Sequence, residues 1–183
     1  MSARSALRSA STTVAILALL TGCAHLTDPN HDALRPPDGL STKTHAELLD
    51  ETIAQTNDLV QFLGGEWTYL GSKARAFDPT DRTGWRHLVP CDMHGIAEQY
   101  SINLVQDAPA GTEIDPFPPV AKVRARWENL GHTIHQIGPA ERSQTHAHSI
   151  GIDFAYKAGL EFFASNELLS ISVQSECFGS SQQ

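Results

Sequence analysis

The stretch SIGIDFAYKAGLEFFASNELLSISVQ, residues 149–174, decides the fold. Ile150, Ile152, Phe154 and Tyr156 alternate with other residues, as do Leu160, Phe162 and Ala164, and again Leu169, Ile171 and Val173. A period of two marks strands with one buried face. Lys157-Ala158-Gly159 and Ser165-Asn166-Glu167 supply turns between them, so successive antiparallel strands are predicted.

Working outward, Ile96 to Val105 reads as another strand, with Ile96, Tyr100, Ile102 and Leu104 at even spacing. Between it and the tail lies a helix starting near Pro119, with Val120, Val123, Trp127 and Leu130 on one stripe and Gly131 at its end. Thr133 to Ile137 is a weaker strand candidate, and Gly138 to Ser149 is polar. Further upstream, Thr44 and Glu47 have the spacing of a capping box, and Leu49, Ile53, Thr56, Val60 and Leu63 recur at helical intervals up to Gly64 and Gly65. Glu47, Glu51 and Asp58 fall on the opposite face. Trp67 and Tyr69 suggest a short strand, Ser72 to Gly84 a polar loop, and Trp85 to His94 has no clear period. The order is that of an α+β domain in two layers, an antiparallel β-sheet with two helices packed on one face.

Before this domain stands a leader. Residues 1–22 contain Arg4 and Arg8 and no acid, then the run Val14 to Leu20, then small residues before Cys23. A basic start, an apolar stretch too short to span a bilayer of about 30 Å, and small residues at the cut describe a secretory signal peptide. Leu20-Thr21-Gly22-Cys23 further resembles the bacterial lipobox, in which the cysteine is acylated and becomes the first residue. Residues 23–40, with Pro29, Pro36, Pro37, Asp28, Asp32 and Asp38, read as the lipidated Cys and a flexible tether, and 41–183 as one domain. The expected location is the outer face of the cell membrane, with the membrane itself a partner through acylated Cys23.

Charge narrows the partners. The whole chain carries 13 Lys+Arg against 21 Asp+Glu, and cleavage before Cys23 removes two of the cations. So acidic a protein is a poor match for nucleic acid, whose recognition rests on clustered Lys and Arg. With Cys23 acylated, Cys91 and Cys177 remain in an exported chain. They are expected to form a disulfide, which stabilises by roughly 4 to 5 kcal/mol for so long a loop.

The capped helix ending before Trp67, Cys91, the strand through Tyr100, the helix ending in Leu130-Gly131 and the last hairpin closing on Ser175-Glu176-Cys177 resemble small actinobacterial lipoproteins. The mycobacterial LppA family is the one resembled, over most of residues 46–178. That resemblance implies an anchored envelope domain with one disulfide and no assigned reaction.

Chemistry is sparse. The chain has 9 histidines. The weak metal candidates are His146 and His148, two apart on one strand face, with His132 or His135 and Glu141; a zinc site needs three or four such ligands converging. Surface histidine is the simpler reading, and no metal is expected. Lys122, Arg124 and Arg126 form the one basic cluster, either a patch for an anionic partner or the solvated side of a helix. No G-x-S-x-G elbow and no phosphate-binding glycine loop occurs, so no catalytic residue and no cofactor is expected. The expected function is a non-enzymatic binding or interaction module, docking an envelope protein. The alternative is a lipid or small-molecule carrier holding an apolar ligand in a cavity between sheet and helices, and an envelope hydrolase is a minor third.

Overall fold

The structure is a computed structural model that describes residues 39–82, 88–91, 97–138 and 147–179. The signal peptide, Cys23, all of the tether before residue 39, His146 and Glu141 lie outside the described residues. Within them the chain is an α+β fold of nine strands and two helices.

The first helix, α1 (His45–Leu63), begins as its sequence dictates. The Thr44 hydroxyl accepts from the Glu47 amide at 3.3 Å while the Thr44 amide donates to Glu47 Oε2 at 2.8 Å, closing the capping box. These bonds hold the Glu47 carboxyl below its ordinary pKa, the Thr44 backbone donor contributing most. At the other end Gly64 takes φ 74 and Trp67 Nε1 donates to its carbonyl at 3.0 Å. The buried side of α1 is Leu48, Thr52, Ile53, Thr56 and Leu59, with Leu49, Val60 and Leu63 only partly covered.

The strands β1 (Thr68–Tyr69) and β2 (Ser72–Ala76) form a hairpin turning at Gly71, which has φ 83. Part of the predicted polar loop from Ser72 is thus a strand. It lies at the sheet edge, where one side bonds to no neighbouring strand and apolar alternation is not demanded. β3 (Leu88–Pro90) pairs with the long central strand β4 (Ala97–Asp107), which is followed by α2 (Phe117–Asn129). Val120, Val123 and Trp127 are buried as expected, but Leu130 is 60% exposed, because the helix stops at Asn129 and the chain turns away at Gly131.

The tail gives β5 (His135–Gln136), β6 (Ala147–Asp153), β7 (Gly159–Ser165), β8 (Leu168–Gln174) and β9 (Phe178–Gly179). β5 is only two residues of the five predicted, and β6 starts inside the segment read as polar. The sheet order is β2-β1-β4-β8-β7-β6-β5, antiparallel throughout, with β3 and β9 on the first half of β4. β6 ends at Asp153, short of Tyr156: residues 155–157 form a 3-10 turn in which Tyr156 and Lys157 sit at φ 54 and φ 62.

Both helices cover one face, α1 over β4 and β8, α2 over β6 and β7. Ile102, Leu104, Ile150, Ile152, Phe162, Ile171 and Val173 from the sheet meet Ile53, Leu59, Trp67, Val123 and Trp127 in one buried cluster. Fully burying each large apolar side chain stabilises by about 1.5–3 kcal/mol, so this layer dominates the fold's stability. Among the described residues, no helix is long and apolar enough to cross a membrane.

Candidate functional site

Cys91 follows β3 and Cys177 precedes β9; the two form a disulfide with Cα atoms 6.0 Å apart, closing a separation of 86 residues. Its surroundings tie several segments together. The Cys177 carbonyl accepts from the Ser41 amide at 2.8 Å, the Cys177 amide donates to the Tyr156 carbonyl at 2.9 Å, and Lys157 Nζ donates to the Cys91 carbonyl at 2.7 Å. Gln99 Oε1 lies 3.4 and 3.5 Å from the two sulfurs.

Beside it, Lys43 Nζ bridges Glu176 at 2.8 Å and Glu51 at 2.7 Å. Burial pushes the Glu176 carboxyl up, but hydrogen bonds from Lys43 and Ser41 outweigh it and hold the group below its ordinary range. Hydrogen bonds to Glu176 first and then to Glu51 raise the Lys43 ammonium above its ordinary pKa. The point where the domain receives the preceding segment is therefore a stapled and salt-linked pole.

The described histidines do not converge. His148 is buried beside α2, its ring edge-on to Phe117 with centroids 5.9 Å apart. His135 lies on the opposite face of the sheet, where its Nε2 is 2.9 Å from Asp153 Oδ2. His132 packs edge-on against Phe154, centroids 5.5 Å apart. Strand parity separates them: His148 shares the core side with Ile150 and Ile152, whereas His135 pairs across from Gly151. Among the described residues no group of three metal-ligating side chains forms.

The basic cluster is engaged within the domain. Arg126 donates to both carboxylate oxygens of Asp58 at 2.7 Å and lies 4.5 Å from the Phe62 ring centroid. Lys122 Nζ donates to the Phe62 carbonyl at 3.0 Å and sits over the same ring. Arg124 bonds Gln136 and approaches Glu128 at 3.9 Å. These cations join α2 to the end of α1 and to β5.

Trp67, Trp127 and Phe162 are buried in the core, while Phe154 is only half-buried against it. An apolar hollow of about 340 Å³ lies outside this core, beside α2, lined by Phe117, Val120, Ala121, Arg124, Ala125 and His148 among others.

Sequence reasoning missed a further hollow, one lined largely by polar side chains. On the sheet face away from the helices, strand register sets two rows: Gln174, Gly159 and Asp153, then Ser172, Glu161, Gly151 and His135. With glycine at two adjoining positions the sheet surface sinks into a trench of about 320 Å³, rimmed by Ile137. A Cβ on Gly151 would lie 3.2 Å from Ile137 Cδ1 and 3.3 Å from the Leu160 carbonyl oxygen, and one on Gly159 3.0 Å from that of Ile152. Glu161 Oε1 accepts from the Ser149 hydroxyl at 2.7 Å. The signal was present in the sequence as glycines inside strands, which often mark close approach of another group.

No family model matches the chain, and no curated protein does. Among solved structures it is similar to a DUF4853 family protein from Actinomyces odontolyticus ATCC 17982, with a TM-score of 0.48 and 14% identity over 79% of this chain and 72% of that one.

Proposed function

We propose that the chain is a lipid-anchored protein of the cell envelope, held to the outer face of the membrane through acylated Cys23, whose α+β domain is a non-enzymatic binding module. The observation that carries the reading is the leader: two arginines, an apolar run and Leu20-Thr21-Gly22-Cys23 in succession. The resemblance to the LppA-like lipoproteins supports it. The acidic, proline-bearing segment after Cys23 suits a solvated spacer.

Two structural features support a binding role on the outer surface rather than carriage of a lipid inside. One cluster of side chains from both layers fills the centre between sheet and helices, and the apolar hollow beside α2, which His148 reaches from the core side of the sheet, opens only at its edge. The opposite sheet face, uncovered by either helix, presents half-buried polar groups and the glycine trench.

Anchoring is tested by expressing the full chain in an actinobacterial host fed an alkyne-bearing palmitate. The wild type should take the label and partition into detergent, and Cys23→Ser should do neither. A wild type without label, partitioning into water, overturns the reading.

A further inference from the structure

The trench on the uncovered sheet face has the chemistry of a small-ligand site, and we infer that it binds a neutral polyhydroxylated ligand, a sugar ring of a glycan. The inference deepens the binding-module reading and rests on it.

Four observations carry the assignment. First, no Lys or Arg is among the described residues that line the trench, so those residues offer an anionic ligand no cationic partner. Second, both carboxylates in it are already engaged by neutral or weakly basic groups, Glu161 by the Ser149 hydroxyl at 2.7 Å and Asp153 by His135 at 2.9 Å. Held so, they remain strong acceptors for hydroxyl donors. Third, the polar groups differ in kind: carboxylate, the Gln174 amide, the Ser172 hydroxyl and imidazole all face one space. Such a set both donates and accepts, as the hydroxyls of a sugar ring do.

Fourth, the floor is low. Gly151 and Gly159 carry no side chain of their own, and Ile137, 56% exposed, leans over Gly151 with its Cδ1 3.2 Å from where a Cβ would stand, so the trench offers a ring an apolar edge beside the peptide surface at Gly159. The volume, about 320 Å³, falls at the lower end of small-molecule sites, as expected for one or two sugar units rather than a drug-sized ligand.

The test is saturation-transfer NMR on the full chain in a zwitterionic detergent, which avoids competition from sugar-headed detergents. The probes are the neutral tetrasaccharides of glucose, mannose and N-acetylglucosamine, with spermidine as a cationic control. Transfer to at least one glycan is expected, weakened about tenfold by Glu161→Gln, which keeps the shape but removes the charged acceptor. Ser172→Val, on the same sheet face, should weaken it as well by replacing a hydroxyl with methyl groups, with thermal unfolding used to show that both variants remain folded. Transfer to no glycan, or transfer unchanged in both folded variants, overturns the assignment. Transfer to spermidine alone, lost in Glu161→Gln, overturns the sugar while leaving the binding-module reading in place.

Discussion

The main-chain carbonyl of Tyr156 accepts from the amide of Cys177 at 2.9 Å, which fastens a left-handed turn to one end of the disulfide. Lys157 completes the fastening through Cys91 at 2.7 Å. Non-glycine residues at positive φ are disfavoured by roughly 1–2 kcal/mol each, so two in succession persist only where the surroundings impose them. Here the hairpin between β6 and β7, the disulfide and the segment at Ser41 are one mechanical unit.

Replacing both cysteines, Cys91→Ser with Cys177→Ser, is expected to destabilise the domain by about 4 kcal/mol, since the bond closes a long loop. Denaturant unfolding checks the magnitude. Hydrogen exchange should quicken most at Cys177 and Ala158, the amides bonded around the turn; uniform quickening would count against a local role.

Thr44→Ala removes the hydroxyl that accepts from the Glu47 amide and donates to its carboxylate, leaving only the main-chain amide of residue 44 on that carboxylate. A loss of about 1 kcal/mol is expected in a chemical melt, with Glu47→Gln losing less because it retains a side-chain acceptor.

Acid should loosen the pole before the core. Glu47 and Glu176 both titrate below their ordinary range in the folded chain, so their contribution is complete above the unfolded value and disappears as pH falls through the lowered one. Glu176→Gln should destabilise by about 0.5–1 kcal/mol at neutral pH, the range of a partly exposed ion pair, and the difference from wild type should close below the carboxylate range. A gap that persists at low pH would contradict this account.

The clamp between helices should be salt-sensitive and small. In a double-mutant cycle on Asp58→Ala and Arg126→Ala, a coupling of roughly 0.5 kcal/mol is expected at low ionic strength, fading toward zero in molar salt. Arg126→Ala alone should lose more than the coupling, because its guanidinium also covers the Phe62 ring.

The two-layer architecture was legible because burial imposes periods on the chain: two in β6, β7 and β8, and about 3.6 in both helices, whose ends are marked by Thr44, Gly64 and Gly131. The pairing of Cys91 with Cys177 was legible once the leader marked the chain as exported and the lipobox reading set Cys23 aside, which left two cysteines. What escaped depends on neighbours distant in sequence. β2 has no apolar alternation since it lies at an edge, and Gly159, read as the flexible turn residue, lies in a strand. The left-handed conformation falls instead on Tyr156 and Lys157, through bonds to residues some twenty and sixty-six positions away. The trench needs the register of four strands before Gly151, Gly159, Glu161 and His135 become neighbours, and the same register divides His135 from His148.

Cys23 is the position at which lipid anchoring is decided. The intact mass of the protein purified from an actinobacterial membrane should correspond to a chain beginning at Cys23, carrying a diacylglyceryl group and one disulfide. A chain that retains the leader, or begins elsewhere without lipid, would contradict it.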